Sequence, residues 1–466
     1  MGCFRKIIPR RKMAVVLGVI AGSLLWLMTN HIEGNPDLEL DSVDKATLLQ
    51  GRSRVVPFPN AEGPVPAPNA GGGLVSAPGA GAPVKRVLIF GDKEGTEEWF
   101  ELNDILSVFR QNSQGLWVGR FDCPKHGTTI EYTLTSDVKQ FEGKDAIIFG
   151  MLPKIFSLHG AALVQLQPKK NQTWLYYSTE TPYRVGSWTG SLVMEKLKYH
   201  VMMTYRRDSE IPIPFGYYRE GVPAANHGKA VLDLTQKKDL IVWIASNCAQ
   251  VTWPRFPFME QLRELLPVRA YGHCGNLTCL PMRSHRCNQL FKSFKFHLAL
   301  ANSECREYIT EKFWTNSLMY DVVPVVYGAP KADFEKLAPP NSFIHVSDFS
   351  TLEDLADYIK LLDQNDDMYL KYFEWKTKGA VTPYFPVTLP TLCNIVPHLF
   401  NGTTQSIKTI KNSPWYNNCR ETRPNPHIPY KTFVKEIQIK KYPSWKPWKL
   451  DVFKPNISSE VLSRAP

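Results

Sequence analysis

The sequence predicts an α/β protein of two doubly wound units facing one cleft, preceded by an N-terminal transmembrane helix and a flexible stem. Three observations predict it. A single uncharged apolar run occupies residues 13–29, a Pro/Gly/Ala-rich stretch follows it, and from Arg86 onward short apolar runs alternate with helical stretches, break once and restart.

The apolar run MAVVLGVIAGSLLWLMT meets the lower limit of about 17 residues for a bilayer span. Residues 1–12 ahead of it carry Arg5, Lys6, Arg10, Arg11 and Lys12, and the first charge after it is Glu33. Flanking cations hold their end of a span in the cytoplasm, so residues 1–12 read as a cytoplasmic tail and the rest of the chain crosses the membrane. A cleaved signal peptide is the competing reading. Its apolar region runs about 7–15 residues and ends in small residues, whereas this one ends in Leu25, Trp26, Leu27 and Met28. A short span also suits a thin early-secretory membrane.

Residues 30–84 read as a stem. The first part is polar and acidic, and the second, PFPNAEGPVPAPNAGGGLVSAPGAGAPV, is too poor in large apolar groups to offset chain entropy. Residues 85–225 form the first lobe, with strand runs at 86–90, 145–150 and 173–178 and an amphipathic stretch around Trp99 to Phe109. The pattern breaks near 219–238. A second lobe, 238–380, restarts it with runs at 239–245, 268–272, 294–300, 322–328 and 342–346. The helix expected over 255–267 sets Phe258, Leu262 and Leu265 on one face and stops at Pro267. Leu352, Leu355, Ala356, Ile359 and Leu362 recur at helical spacing and read as core packing. Residues 381–466 are a C-terminal extension. Strands alternating with helices imply largely parallel sheets, whose ligands bind beyond the strands' carboxyl ends.

Composition excludes some functions. A hydrophobic share of 43% and a charged share of 21% are those of a globular chain. The net charge of +11 is dispersed, densest in the N-terminal flank and after Lys408, and a protein beyond the membrane meets no nucleic acid. The charge reads as mild attraction to anionic substrates or a membrane surface. Of nine cysteines, Cys3 precedes the span and eight follow it (Cys123, Cys248, Cys274, Cys279, Cys287, Cys305, Cys393 and Cys419). An even number in an oxidising compartment suits disulfides, although eight cysteines allow 105 pairings. Zinc at His273, Cys274, Cys279, His285 and Cys287 is the rival reading, without the repeated Cys-x-x-Cys that would support it. Glycosylation sequons stand at Asn171, Asn276, Asn401 and Asn456, all beyond the span.

The segment 294–328 carries the most chemistry. It reads strand, polar loop, helix, strand, with Thr310 as N-cap and Glu311 and Lys312 in the first helical turn. Helix starts favour acids and anions, so Lys312 there is either a solvated surface cation or a group that meets a bound phosphate.

This segment resembles the donor site of the α1,3-fucosyltransferases, glycosyltransferase family 10, whose motif joins an ENS-like tripeptide to Tyr-x-x-Glu-Lys. The matching residues are Asn302-Ser303 and Tyr308-Ile309-Thr310-Glu311-Lys312. Co-linear stretches ETPYR (180–184), TYRRDSEIPIPFGY (204–217), SNC (246–248) and YGHCGN (271–276) extend the resemblance over roughly 86–380. It implies a GT-B fold of two Rossmann-like domains and an inverting enzyme using GDP-β-L-fucose and a GlcNAc-containing acceptor. It also implies a single-pass type II protein of the Golgi membrane with its catalytic domain in the lumen. Core N-glycan, chitobiose-distal, Lewis-type and LacdiNAc acceptors are all compatible.

By the motif match, Arg255 and Lys312 would hold the diphosphate, and Tyr308 and Glu311 would meet the nucleoside or sugar. Asn302 joins them, with Tyr205, Arg206, Arg207 and Asp208 as further cleft candidates. Glu180 follows the run 173–178, at a strand's carboxyl end, where the family's general base aligns. No Asp-x-Asp motif is present, and basic side chains can neutralise the leaving diphosphate, so no metal is strictly required; the resemblance leaves room for stimulation by Mn2+ or Mg2+ and for a homodimer. One position departs from the family pattern: Ala301 stands where the tripeptide usually has Glu. That departure is the one feature favouring an inactive Golgi glycan-binding protein. A transferase using another nucleotide sugar is a third reading.

Overall fold

The computed structural model describes residues 83–97, 102–221, 232–248, 251–253, 255–279, 285–399 and 406–419. The expected tail, the span 13–29, nearly all of the stem and residues 420–466 lie outside the described residues, as do Asn401 and Asn456. Among the described residues no helix is long and apolar enough to cross a membrane.

The first lobe's strands are β1 (Val84–Phe90), β2 (Arg110–Gln111), β3 (Trp117–Cys123), β4 (Thr128–Thr135), β5 (Ala146–Phe149), β6 (Thr173–Ser178), β7 (Lys198–Tyr199), β8 (Val201–Thr204) and β9 (Ile211–Pro212). One eight-stranded sheet runs β2-β3-β4-β1-β5-β6-β8-β9. Its pairs from β4 to β9 are parallel, as the alternation of strands and helices predicts. The β2–β3–β4 edge is antiparallel, an addition to the largely parallel sheet that the alternation predicts. The hairpin between β3 and β4 turns at Gly127, whose φ of 56° is left-handed, over the short segment Pro124–His126. Its strand Thr128–Thr135 is not among the expected runs, because polar residues break its apolar ones and leave no long apolar core to announce it. The amphipathic stretch expected around Trp99–Phe109 contributes only the one-turn helix Asn103–Leu106 among its described residues.

The chain leaves this lobe through β10 (Gly216–Glu220). The second lobe then adds β11 (Asp239–Ile244), β12 (Val268–Tyr271), β13 (Phe294–Leu300), β14 (Val323–Tyr327) and β15 (Ile344–His345), all parallel, in the order β12-β11-β13-β14-β15. Each strand falls within its predicted run. This order reverses direction between β11 and β13, and such a switch point opens a crevice at the strands' carboxyl ends. The helix Leu352–Gln364 buries Leu352, Leu355, Ala356, Ile359 and Leu362, the residues its periodicity names, and starts in a capping box between Thr351 and Asp354.

β16 (Gly379–Pro383) returns to pair antiparallel with β10, so a two-stranded ribbon joins the lobes. At Gly216 on this ribbon a Cβ would lie 2.5 Å from the Trp314 ring, so only glycine permits the approach. β17 (Lys408–Thr409) pairs with β7, which brings the C-terminal extension back onto the first lobe. The disulfides Cys123–Cys393 and Cys305–Cys419 fasten this return, and Cys248–Cys274 and Cys279–Cys287 close loops of the second lobe. The cysteines offered to zinc are therefore all taken up in disulfides, Cys274 with Cys248 and Cys279 with Cys287. Asn171 and Asn276 are exposed.

Candidate active site

β6 is buried along its whole length, and the chain turns into the interlobe cleft immediately after it, at Glu180. The Glu180 carbonyl accepts from Ser178 Oγ at 2.9 Å and from the Trp415 indole N–H at 3.1 Å. Its carboxylate Oε2 accepts the Tyr308 hydroxyl, from the second lobe, at 2.9 Å. One residue on, Thr181 caps the helix Pro182–Thr189 and shares a 2.9 Å hydrogen bond with Ser303 across the cleft. The two sequence motifs, more than a hundred residues apart, thus meet side chain to side chain.

Burial raises the Glu180 carboxyl above the usual carboxylate range, while the Tyr308 hydrogen bond, Arg184 and Lys312 pull it back down. A base held this way is more basic than a surface carboxylate. Tyr308 is buried among Tyr205, 4.9 Å away between ring centroids, and Phe215, and both burial and the Glu180 charge push its hydroxyl well above the ordinary value. Tyr308 therefore donates a proton to a hydrogen bond and does not give it up.

The switch point of the second sheet is bridged by Arg255. Its guanidinium donates to the Leu300 carbonyl at the end of β13 and to the Asn247 carbonyl just beyond β11. Arg255 is 2% exposed. Burial lowers it to about 10, opposed by attraction to Tyr308, Glu180 and Glu311, with Arg184 adding repulsion. It remains a cation at neutral pH. Lys312, in the one-turn helix Glu311–Trp314, pairs with Glu311 at 2.6 Å. The expected Thr310 sits at the N-cap of that helix, but its side chain makes no capping bond.

Arg184 was missed by sequence reasoning, although it lies in the quoted ETPYR stretch. Its guanidinium stacks 4.3 Å above the Trp188 ring and is held toward Glu180 by charge. Arg184 Nη1, Arg255 Nε and Asn302 Oδ1 are sealed from solvent with no hydrogen-bond partner among the described residues. A buried polar atom without a partner costs about 1–3 kcal/mol, and such groups at a cleft mark a place where a polar ligand fits.

Other expected residues have structural partners. Tyr205 is 1% exposed and packs on Tyr308. Arg206 is held in a two-point pair with Asp208 and reaches the Arg306 carbonyl. Arg207 stacks over Tyr217, and its N–H donates to Glu307. Ala301 is buried and works through its backbone: its N–H donates to Tyr327, and its carbonyl accepts the Trp253 indole. Glu304, fully buried three residues later, accepts from the Tyr327 hydroxyl at 3.1 Å. No signal in the sequence separated Glu304 from its neighbours. Among the described residues no group of three or more His, Cys, Asp or Glu side chains is placed to hold a metal ion.

Comparison with known proteins places the chain in a family. The family model described as glycosyltransferase family 10 (fucosyltransferase) C-term matches residues 234–413, and the fucosyltransferase N-terminal model matches residues 85–216. Glycoprotein 3-alpha-L-fucosyltransferase A of Drosophila melanogaster is 32% identical over 221 residues, 47% of this chain and 42% of its own length. The human 4-galactosyl-N-acetylglucosaminide 3-alpha-L-fucosyltransferase FUT6 is 32% identical over 250 residues, 53% of this chain and 66% of its own. Alpha-(1,3)-fucosyltransferase 7 of Bos taurus is 33% identical over 261 residues, 56% of this chain and 70% of its own. The chain thus matches less than two thirds of the length of the first two relatives. A crystal structure of an alpha1,3-fucosyltransferase with GDP-fucose aligns over 71% of this chain and 95% of its own at 17% identity and a TM-score of 0.42, a likeness too slight to carry an argument. The two family models and the bovine relative suffice: the chain belongs to glycosyltransferase family 10, the fucosyltransferases.

Proposed function

We propose that the protein is an inverting α1,3-fucosyltransferase of GT-B architecture that moves fucose from GDP-β-L-fucose to a GlcNAc hydroxyl of a glycan. The observation that carries this reading is the meeting of Glu180, at the carboxyl end of β6, with Tyr308 and the cations Arg184, Arg255 and Lys312 in one cleft.

The chemistry follows from the charges. The acceptor oxygen attacks the fucose anomeric carbon on the face opposite the diphosphate, its proton passes to the Glu180 carboxylate, and the bond to the phosphate oxygen breaks with its electron pair leaving on GDP. The leaving diphosphate gains negative charge, and Arg255, Lys312 and Arg184 stabilise that charge in a site of low polarity. Tyr308 orients the Glu180 carboxylate by its hydrogen bond to Oε2. Asn302 Oδ1 and Arg255 Nε supply polar contacts to the donor. This scheme routes no step through a metal ion. Glu304, buried three residues after Ala301, keeps an acidic group in the donor loop where this chain's tripeptide lacks the family's Glu.

Type II anchorage through residues 13–29, a Golgi address and a luminal site belong to the same proposal and rest on the sequence. Glu180→Gln tests the mechanism. With full-length, detergent-solubilised chain, transfer from GDP-fucose to GlcNAc-containing glycans is expected to fall in kcat by about 10²–10⁴-fold, with little change in KM for GDP-fucose. Unchanged turnover sinks the assignment of Glu180. Wild-type chain that binds glycans but transfers to none of them favours the glycan-binding reading instead.

A further inference from the structure

Residues 408–419 form a strap from one lobe to the other. Lys408 and Thr409 pair with the first lobe's edge at Tyr199 and Lys198, and the Ile410 N–H continues to the Leu197 carbonyl. Ser413 caps the turn Pro414–Asn417. Trp415, 1% exposed, then packs on Tyr176 of β6 at 5.2 Å between ring centroids and gives its indole N–H to the Glu180 carbonyl. Three and four residues on, Asn418 and Cys419 reach the second lobe. The Arg306 N–H donates to the Asn418 carbonyl at 2.9 Å, and Cys419 is disulfide-bonded to Cys305, itself fully buried.

Cys305 lies three residues before Tyr308, whose hydroxyl holds the Glu180 carboxylate. Glu180 is therefore gripped twice by one closed circuit. The strap holds its main chain through Trp415, and the loop to which the strap is bonded holds its side chain through Tyr308. Neither grip is local in sequence: Trp415 and Tyr308 stand 235 and 128 residues from Glu180.

Granting Glu180 its role as base, we propose that Trp415 and the Cys305–Cys419 bond form a positioning device that sets Glu180 against Tyr308 across the cleft. The main chain after β6 has left its sheet, and the indole N–H joins Ser178 Oγ in holding the carbonyl that sheet pairing no longer holds. The disulfide fixes the donor loop at the same point, so the strap adds to the direct Thr181–Ser303 contact in setting the separation of Glu180 and Tyr308. Displacement of a catalytic group by about 1 Å can cost a hundredfold in rate, which gives such a device its value.

Trp415→Phe tests it in the full-length chain. The substitution keeps the buried ring and deletes the N–H. Turnover of GDP-fucose with N-acetyllactosamine and with a chitobiose-core glycopeptide is expected to fall by between about tenfold and a hundredfold in kcat. KM for GDP-fucose should hold, and the acidic limb of the kcat profile should move to higher pH as the Tyr308 contact loosens. The pair Cys305→Ser with Cys419→Ser should reproduce both effects with Trp415 intact, and it stands in if Trp415→Phe does not fold. Folded variants with wild-type kcat and pH profile overturn the proposal, as does a loss confined to KM. Wild-type chain without transfer on any acceptor overturns the fucosyltransferase reading instead. The strap is then tested by 13C-NMR titration of the Glu180 carboxyl, assigned by its absence in Glu180→Gln: an upward shift in Trp415→Phe supports the strap, and an unmoved titration rejects it.

Discussion

At the residue scale the site is an arrangement of opposed shifts on Glu180. Burial drives its carboxyl up, and Tyr308, Arg184 and Lys312 drive it down. Removing one of the opposing groups therefore has a determined sign. Tyr308→Phe deletes a hydrogen bond to the ionised form, and Arg184→Gln deletes a favourable charge. Each should raise the carboxyl further and move the acidic limb of the kcat profile to higher pH, since the base works ionised. Arg184→Gln should also weaken GDP binding, readable by calorimetry, because it removes one of the cations facing the cleft. A profile that moves to lower pH in either variant contradicts the geometry. Of these residues, Glu180 and Tyr308 were legible from strand ends and motif. Arg184 and Trp415 were not, because their value comes from what lies opposite them.

At the element scale the two-stranded ribbon and the long helix of the second lobe do different work. The ribbon brings Gly216 against Trp314, and a Cβ there would lie 2.5 Å from the ring. Gly216→Val should cost about 1–3 kcal/mol through overpacking, read as a lower midpoint in urea unfolding. It should also lower activity, because Trp314 closes the one-turn helix that carries Lys312. The helix Leu352–Gln364 lies away from the reacting groups, and its capping box at Thr351 is an independent stabiliser. Thr351→Ala should cost about 1 kcal/mol and leave kcat and KM unchanged. That helix was readable because an amphipathic period of 3.6 reports burial directly. The β3–β4 hairpin was not, since polar residues interrupt both strands and neither has a continuous apolar run.

At the scale of the whole molecule, two buried histidines of the second lobe tie its stability to pH. His297 shares a hydrogen bond with Ser317 and is held down to about 3, first by burial and then by Lys312. His345 is held down to about 4, again chiefly by burial. Both are neutral in the folded chain and charge more readily when it unfolds. Stability should be at its full value above the ordinary histidine value of 6.5 and should fall as pH drops below it, continuing to about 3. Thermal unfolding from pH 7.5 to pH 4 should show a steady decline that His345→Gln makes shallower; a flat profile contradicts the burial of neutral imidazoles.

The sequence by itself determined what depends on neighbours along the chain: the strand runs, the helix periodicity, the even number of cysteines beyond residue 29 and the motif residues of family 10. These are local signals, because apolar period and residue type respond to whether a position is buried, not to what buries it. Only the tertiary structure decided which cysteines pair, that the C-terminal extension returns to the first lobe, and that Thr181 meets Ser303 and Trp415 meets Glu180. Apart from the disulfides Cys248–Cys274 and Cys279–Cys287, those contacts join segments more than a hundred residues apart. Their partners are chosen by sheet order and lobe packing, which no window of sequence contains.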